Sequence, residues 1–402
     1  MLKNQKNLTK EVNSCWPTTE QELLLQAALL TDEKAVKAWE KWKSVVDIDQ
    51  LDVGSLRLLP LLYTNLRRWG VSDPMMEKFK GLYRQTWCEN QLLFYQIADV
   101  LKMFQNAGIQ TLILKGAALS LLYYKDYGLR PMADFDILIP LDKRQQAIAL
   151  LQESSWIAHQ VPGAEIELDE AFLNGRHSYT FISPNNQELD LHWHLLSNCL
   201  NTDVDEVFWQ EAVLTQLHSI STYALNSTDQ FLHVCVHGVA WNIVPPLRWV
   251  ADAMMILNQT TDLNWERLII IAEKQRLILP LTNALQYLFD LFQIPILSSV
   301  LKKLQNLPVL PEEQLDYQLT TVNFYSLCRQ KPNRILQFYY QVYKSSYTRY
   351  ITIFNEDKAP NFIRFYKFLQ YHWRVRKIWN LPVYATSKAM QALGKIVRWG
   401  GK

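Results

Sequence analysis

Apolar positions recur at helical spacing through residues 18–105 and again from Ser227 onward; strand-like runs lie only between them. Thr18-Thr19-Glu20 with Glu22 opens a helix, and Leu23, Leu24, Ala27 and Leu30 continue its apolar stripe. A second helical segment runs from Pro74 to Gln105, with Leu82, Trp87, Phe94, Ile97, Leu101 and Phe104 mainly on one face, and stops at Asn106-Ala107-Gly108. Thr111 to Leu114 is a short apolar run that predicts a buried strand. Ala117 to Tyr124 predicts a helix, and Lys125 to Ala133 a loop broken by Gly128 and Pro131. Asp134 to Ile139 predicts a second strand closed by Pro140, and Leu141 to Glu153 returns to helical spacing. Tyr179 to Ser183 and Glu188 to Leu195 predict two strands joined by Pro184-Asn185-Asn186. The later helical part is punctuated by Pro245-Pro246 and Pro280, and the chain has no internal repeat. The expected class is α+β: a small mixed sheet between helical N-terminal and C-terminal regions. The expected division is an N-terminal helical region (1–105), a core (106–220), a helical domain (221–328) and a C-terminal helical tail (329–402).

Composition places these elements in a globular protein. Of 402 residues, 49% are hydrophobic and 20% charged, enough to bury a large core. The opening residues contain no apolar leader core, and no run of about 18 apolar residues occurs. The five cysteines never form a C-x-x-C pair, which argues against a disulfide framework or zinc ribbon and predicts a cytoplasmic location. The net charge of +2 hides an asymmetry, because residues 329–402 hold 15 Lys and Arg against two acids. That tail is also rich in aromatics. Phe362, Phe365, Tyr366, Leu369 and Trp373 share one helical face, with Arg364, Lys367 and Arg374 opposite. A polyanion or an anionic membrane surface, at the inner membrane face, is the partner such a segment suits. A helical subdomain with merely solvated bases has the same pattern.

The chemistry concentrates in the predicted sheet. Asp134 and Asp136 are two apart on a strand, so both side chains point to one face, with Cα atoms roughly 6–7 Å apart. Just upstream, Lys115-Gly116-Ala117 is a Gly turn where backbone can approach a phosphate. Downstream, Glu188, Asp190, His192 and His194 alternate with Leu189, Leu191, Trp193 and Leu195, so Asp190 can supply a third carboxylate if its strand lies beside the first. Three carboxylates near a Gly turn are what divalent-metal phosphoryl or nucleotidyl transfer needs. The same alternation also describes a solvated strand face, and Asp134-Phe135-Asp136 alone is also the D-x-D of metal-dependent glycosyltransferases. His233 and His237 are spaced for a shared helix face but lack the acid of an H-E-x-x-H pair, and read as packing residues. Arg248 and Asp252, at i and i+4, read as a helix ion pair or a contact to the core.

Together these residues resemble a known family. Lys115-Gly116-Ala117, Tyr123, Gly128, Arg130, Met132, Asp134 and Asp136 are similar to the K-G-A…Y…G-x-R-x-M-x-D-x-D signature of a bacterial nucleotidyltransferase-like family within the DNA polymerase beta-type superfamily. Glu188-Leu-Asp190-Leu-His192-Trp193 resembles its later strand. His233-Val-Cys-Val-His237, Trp241 and Leu247-Arg248-Trp249-Val-Ala-Asp252 resemble its helical segment. The likeness covers about residues 90–260 and does not reach the basic tail. It implies a transferase moving a nucleoside monophosphate from an NTP such as ATP to an acceptor hydroxyl or phosphate. Asp134, Asp136 and Asp190 would be catalytic and would bind Mg²⁺, or Mn²⁺ in its place. Lys115, Gly116, Ala117 and Arg130 would receive the nucleotide phosphates. Ala117 departs from the Ser or Gly of commoner members. The other readings are a D-x-D glycosyltransferase and a non-catalytic nucleotide-binding or scaffold module at a membrane surface.

Overall fold

The computed structural model describes residues 15–159, 168, 170–197, 203–240, 242, 244, 246–261 and 263–321, with scattered positions between 340 and 369. The N-terminal helices are α1 (Thr19–Leu29), α2 (Asp32–Val45), α3 (Val53–Leu56), α4 (Leu59–Arg68) and the long α5 (Met75–Asn106). Thr18 caps α1 through a capping box whose partner is Gln21, three residues on, rather than Glu22. Next come β1 (Leu112–Ile113), α6 (Lys115–Leu119) with a π turn over Ser120–Tyr124, β2 (Asp134–Leu138), α7 (Arg144–Glu153) and β3 (Ile157–Ala158). Then follow α8 (Glu170–Asn174), β4 (Ser178–Ile182), β5 (Glu188–His192), α9 (Glu206–Gln210), β6 (Val213–Leu217) and β7 (Ile220–Ala224). The remaining helices are α10 (Ser227–Gly238), α11 (Arg248–Gln259), α12 (Trp265–Lys274), α13 (Ile278–Phe292), α14 (Pro295–Gln305) and α15 (Pro311–Thr321).

The class is α+β, as expected. One seven-stranded mixed sheet runs in the order β3-β4-β5-β2-β1-β7-β6, with β2/β5 and β1/β7 parallel and the other pairs antiparallel. The β6–β7 hairpin is not foreseen by the strand pattern. Its polar-rich positions hide their alternation, and only pairing with β1 makes β7 part of the sheet.

Strand alternation divides the side chains between two apolar clusters. Phe135, Ile137, Leu189 and Leu191 pack with Phe94, Ile97, Leu101 and Phe104 of α5 and with α7. Leu112, Leu114 and Leu138 join the second cluster, formed by α1, α2, α4 and the helices from α10 to α14. The N-terminal and later helices therefore share one core. Trp16 stacks against both Trp249 and Tyr287, and the Tyr287 hydroxyl lies 3.3 Å from the Glu22 carboxylate. Asp134, Asp136 and Asp190 fall by alternation on the sheet face opposite the α5 cluster.

The basic tail, including Phe362, Trp373 and Trp379, lies almost wholly outside the described residues. Among the described residues, no helix is long and apolar enough to cross a membrane.

Candidate active site

The site is built by strand register. Parallel pairing of β2 with β5 sets Asp134 opposite Glu188, Asp136 opposite Asp190 and Leu138 opposite His192. On the far side of β5, Thr180 of β4 stands opposite Asp190. Thr180, Asp190 and Asp136 thus form a row across three strands on one face. Thr180 Oγ1 donates to Asp190 Oδ1 at 2.5 Å, which orients that carboxylate. His192 Nε2 lies 3.0 Å from Asp136 Oδ1. Its Nδ1 is buried without a hydrogen-bond partner among the described residues.

Lys115 closes the row from the other side. Its Nζ lies 2.5 Å from Asp136 Oδ1, and the neighbouring Leu114 N–H donates to the Asp136 carbonyl at 3.0 Å. Residue 136 is therefore pinned at side chain and backbone by adjacent residues. Lys115 adopts a left-handed φ of +42° to do so, a conformation uncommon for a side-chain-bearing residue. Burial alone would raise the Asp136 pKa, but Lys115 and His192 hold it well below the usual carboxylate range. Asp134 goes the other way, because burial and then the charge of Asp136 push it up. Burial would lower the Lys115 pKa, yet Asp136 and the other two carboxylates keep it above its ordinary value.

Gly116 is required by close approach. A Cβ there would sit 2.6 Å from Arg130 Nη1 and 2.7 Å from Met132 Sδ. Ala117 points elsewhere, into the apolar cluster under α5. Arg130 is buried and already engaged, since Nε and Nη2 each donate to Asp252 of α11 at 2.8 Å. Tyr124 adds a third bond to the same carboxylate at 2.8 Å. Arg248 does not pair with Asp252; its Nη1 donates to the Pro131 carbonyl at 2.6 Å. The 125–133 loop is also held by Asn90 of α5, whose amide donates to the carbonyls of Tyr127 and Arg130 at 2.6 and 2.8 Å.

Among the described residues, Asp136, Asp190 and His192 are the group whose donor atoms all lie within 4.8 Å of one another, close enough to hold one metal ion. Two carboxylates with an imidazole suit a divalent cation. Asp134 shares their face but stands outside that group. His192, a weak candidate by sequence, was discoverable because strict alternation puts it on the face of Asp190. The nearby rings His233 and His237 lie 5.7 Å apart and tilted to one another, and the charges of Lys115, Asp136 and His192 reach both. Burial pushes the His233 imidazole well below its ordinary range, as suits a packed neutral ring.

The sequence model of a family described as "Uncharacterised nucleotidyltransferase" matches residues 54–293. The chain belongs to that family. A crystal structure of an antigenic nucleotidyltransferase-like protein from Paracoccidioides brasiliensis is also similar, at 15% identity and a TM-score of 0.35, covering 52% of this chain and 92% of that one. No curated protein matches. The matched region of this nucleotidyltransferase-family chain spans the whole carboxylate row and the helices that hold Arg130, but not the basic tail.

Proposed function

We propose that this chain transfers a nucleoside monophosphate from an NTP to an acceptor hydroxyl or phosphate. The observation that carries the reading is the pairing of Asp136 with Asp190 across parallel strands, with His192 completing the donor set. A D-x-D pair alone does not ask for a third carboxylate in register, which favours this reading over a glycosyltransferase.

Asp136, Asp190 and His192 would hold a divalent cation, with Asp134 facing the same space. A divalent ion bound there supplies charge neutralisation for the phosphate oxygens. Asp190, held by Thr180, would accept the proton of the acceptor. The acceptor oxygen then bonds to the α-phosphorus, the bond from that phosphorus to the β-phosphate bridging oxygen breaks, and pyrophosphate leaves. Lys115 and the Gly116 backbone border the space for the phosphate chain. Arg130 commits its Nε and Nη2 to Asp252, which fixes it beside the Gly116 turn, where its Nη1 would face the phosphate chain together with Lys115. Protein groups thus act by position and charge, with no covalent intermediate.

The test is a thermal-shift panel of the four NTPs with Mg²⁺ or Mn²⁺, run with pyrophosphate-release assays on wild type and Asp134→Asn/Asp136→Asn. A metal-dependent shift for one nucleotide, lost in the double variant, is expected. Metal-dependent binding that survives the double substitution would sink the assignment. The basic tail as a contact for polyanions or anionic membranes is part of the proposal, tested by co-sedimentation with anionic vesicles before and after removal of residues 331–402.

A further inference from the structure

Two guanidiniums lie close to the site, and the fold treats them differently. Arg130 is neutralised by a two-pronged ion pair with Asp252. Arg248, on the first turn of α11, makes one hydrogen bond to a neutral carbonyl, that of Pro131. Among the described residues, no carboxylate comes within ion-pairing distance of Arg248, although the side chain is more than half buried. The charges that reach it are Arg130, Asp252, Arg57 and Asp134. Asp252 is already bound to Arg130, and the charges of Arg130 and Arg57 oppose that of Arg248. Arg57, at the end of α3, likewise has no side-chain partner among the described residues. Burying a guanidinium among like charges is unfavourable unless something else compensates it.

We infer that Arg248, assisted by Arg57, forms an anion subsite for a phosphate chain on the α11 side of the carboxylate row. The guanidinium offers several N–H donors that no described protein group takes up, in the planar arrangement that suits phosphate oxygens. Its hydrogen bond to the Pro131 carbonyl, three residues before Asp134, places the subsite at the edge of the proposed catalytic centre. Burial and the neighbouring Arg130 lower its pKa to about 10, consistent with a cation that lacks its partner. The phosphate could belong to the NTP or to a phosphorylated acceptor. The subsite deepens the nucleotidyl-transfer reading, and its assignment to that reaction rests on it.

The probe is inorganic tripolyphosphate, titrated by calorimetry into the full chain in a chelator, so that no metal contributes. Wild type should bind. Arg248→Gln should weaken binding at least 10-fold, Arg57→Gln several-fold, and Lys302→Gln, an exposed charge on α14, not at all. Absent binding by wild type overturns the subsite, as does equal binding by a folded Arg248→Gln. If Arg248→Gln does not fold, Arg57→Gln decides: wild-type affinity there overturns it. A parallel loss of metal-dependent NTP affinity assigns the subsite to the donor. Unchanged NTP affinity beside lost tripolyphosphate binding assigns it to a phosphorylated acceptor. Arg248-dependent tripolyphosphate binding without any NTP binding keeps the subsite and removes the nucleotidyl-transfer reading.

Discussion

Arg130 and Asp252, 122 residues apart in the chain, meet as a buried ion pair with two parallel hydrogen bonds of 2.8 Å. This pair ties the loop before β2 to α11, and the same guanidinium rests on Gly116. The helical half of the molecule thereby sets the shape of the turn beside the carboxylates.

Removing one member leaves the other charged, buried and alone. Asp252→Asn should lower stability by about 3–5 kcal/mol. Urea unfolding at neutral pH measures this. A loss below about 1 kcal/mol would mean that solvent reaches Arg130 and that the pair does not organise the loop.

Gly116→Ala puts a methyl group into Arg130 and Met132. About 1–3 kcal/mol of stability should be lost, and metal-dependent nucleotide affinity should fall with it as the turn moves. Ala117→Ser, although it adds a hydroxyl at the turn, should bring no gain in nucleotide affinity, because residue 117 faces the apolar cluster. A tighter-binding Ala117→Ser variant would contradict that orientation.

The Lys115–Asp136 pair predicts a pH window of stability. Asp136 is held below its ordinary pKa, so its contribution is present above about pH 4 and is lost as pH falls through its depressed native value. Lys115 is held above its ordinary pKa, so its contribution is present below about pH 10.4 and is lost as pH rises through the raised value. The stability difference between wild type and Asp136→Asn should be largest between those limits and shrink on both sides. Denaturation midpoints from pH 3 to 11 show the shape directly. A difference independent of pH would rule out the charged pair.

Asp190 is oriented by Thr180 and joined by His192. Thr180→Val keeps the shape and removes the hydrogen bond, and should weaken Mn²⁺ binding by about 10-fold, in the range seen when a group that orients a metal ligand is lost. His192→Asn should weaken it by at least as much and should remove any histidine-nitrogen coupling from the electron paramagnetic resonance of bound Mn²⁺. A nitrogen coupling that persists in His192→Asn would point to His233 or His237 instead.

Asn90 sits inside α5 with its amide on two loop carbonyls. Asn90→Leu should cost about 1–3 kcal/mol by leaving those carbonyls buried without partners. Hydrogen exchange should show the loosening confined to residues 125–133 and α6. Loosening spread evenly over α5 would instead mark a packing defect in the helix.

Much of this molecule follows from local pattern. Helical spacing alone locates α1 and α5, and strand alternation alone places Asp134 with Asp136 on one face of their strand and Asp190 with His192 on one face of theirs. These are short-range consequences of backbone geometry, so the chain states them without reference to its partners. The pairing of those two faces is a different matter. Asp136 meets Asp190 only because β5 docks parallel to β2 in that register, and a slip of β5 by one residue would turn Asp190 and His192 into the apolar cluster under α5. Likewise, Arg248 and Asp252 look like partners at i and i+4. Tertiary packing instead brings Arg130 to Asp252 with two hydrogen bonds, and Arg248 turns to the Pro131 carbonyl. The residue types and their faces are thus determined by the sequence locally. Which charges meet, and which one is left for a ligand, is decided by long-range contacts whose energies no short window of the chain contains.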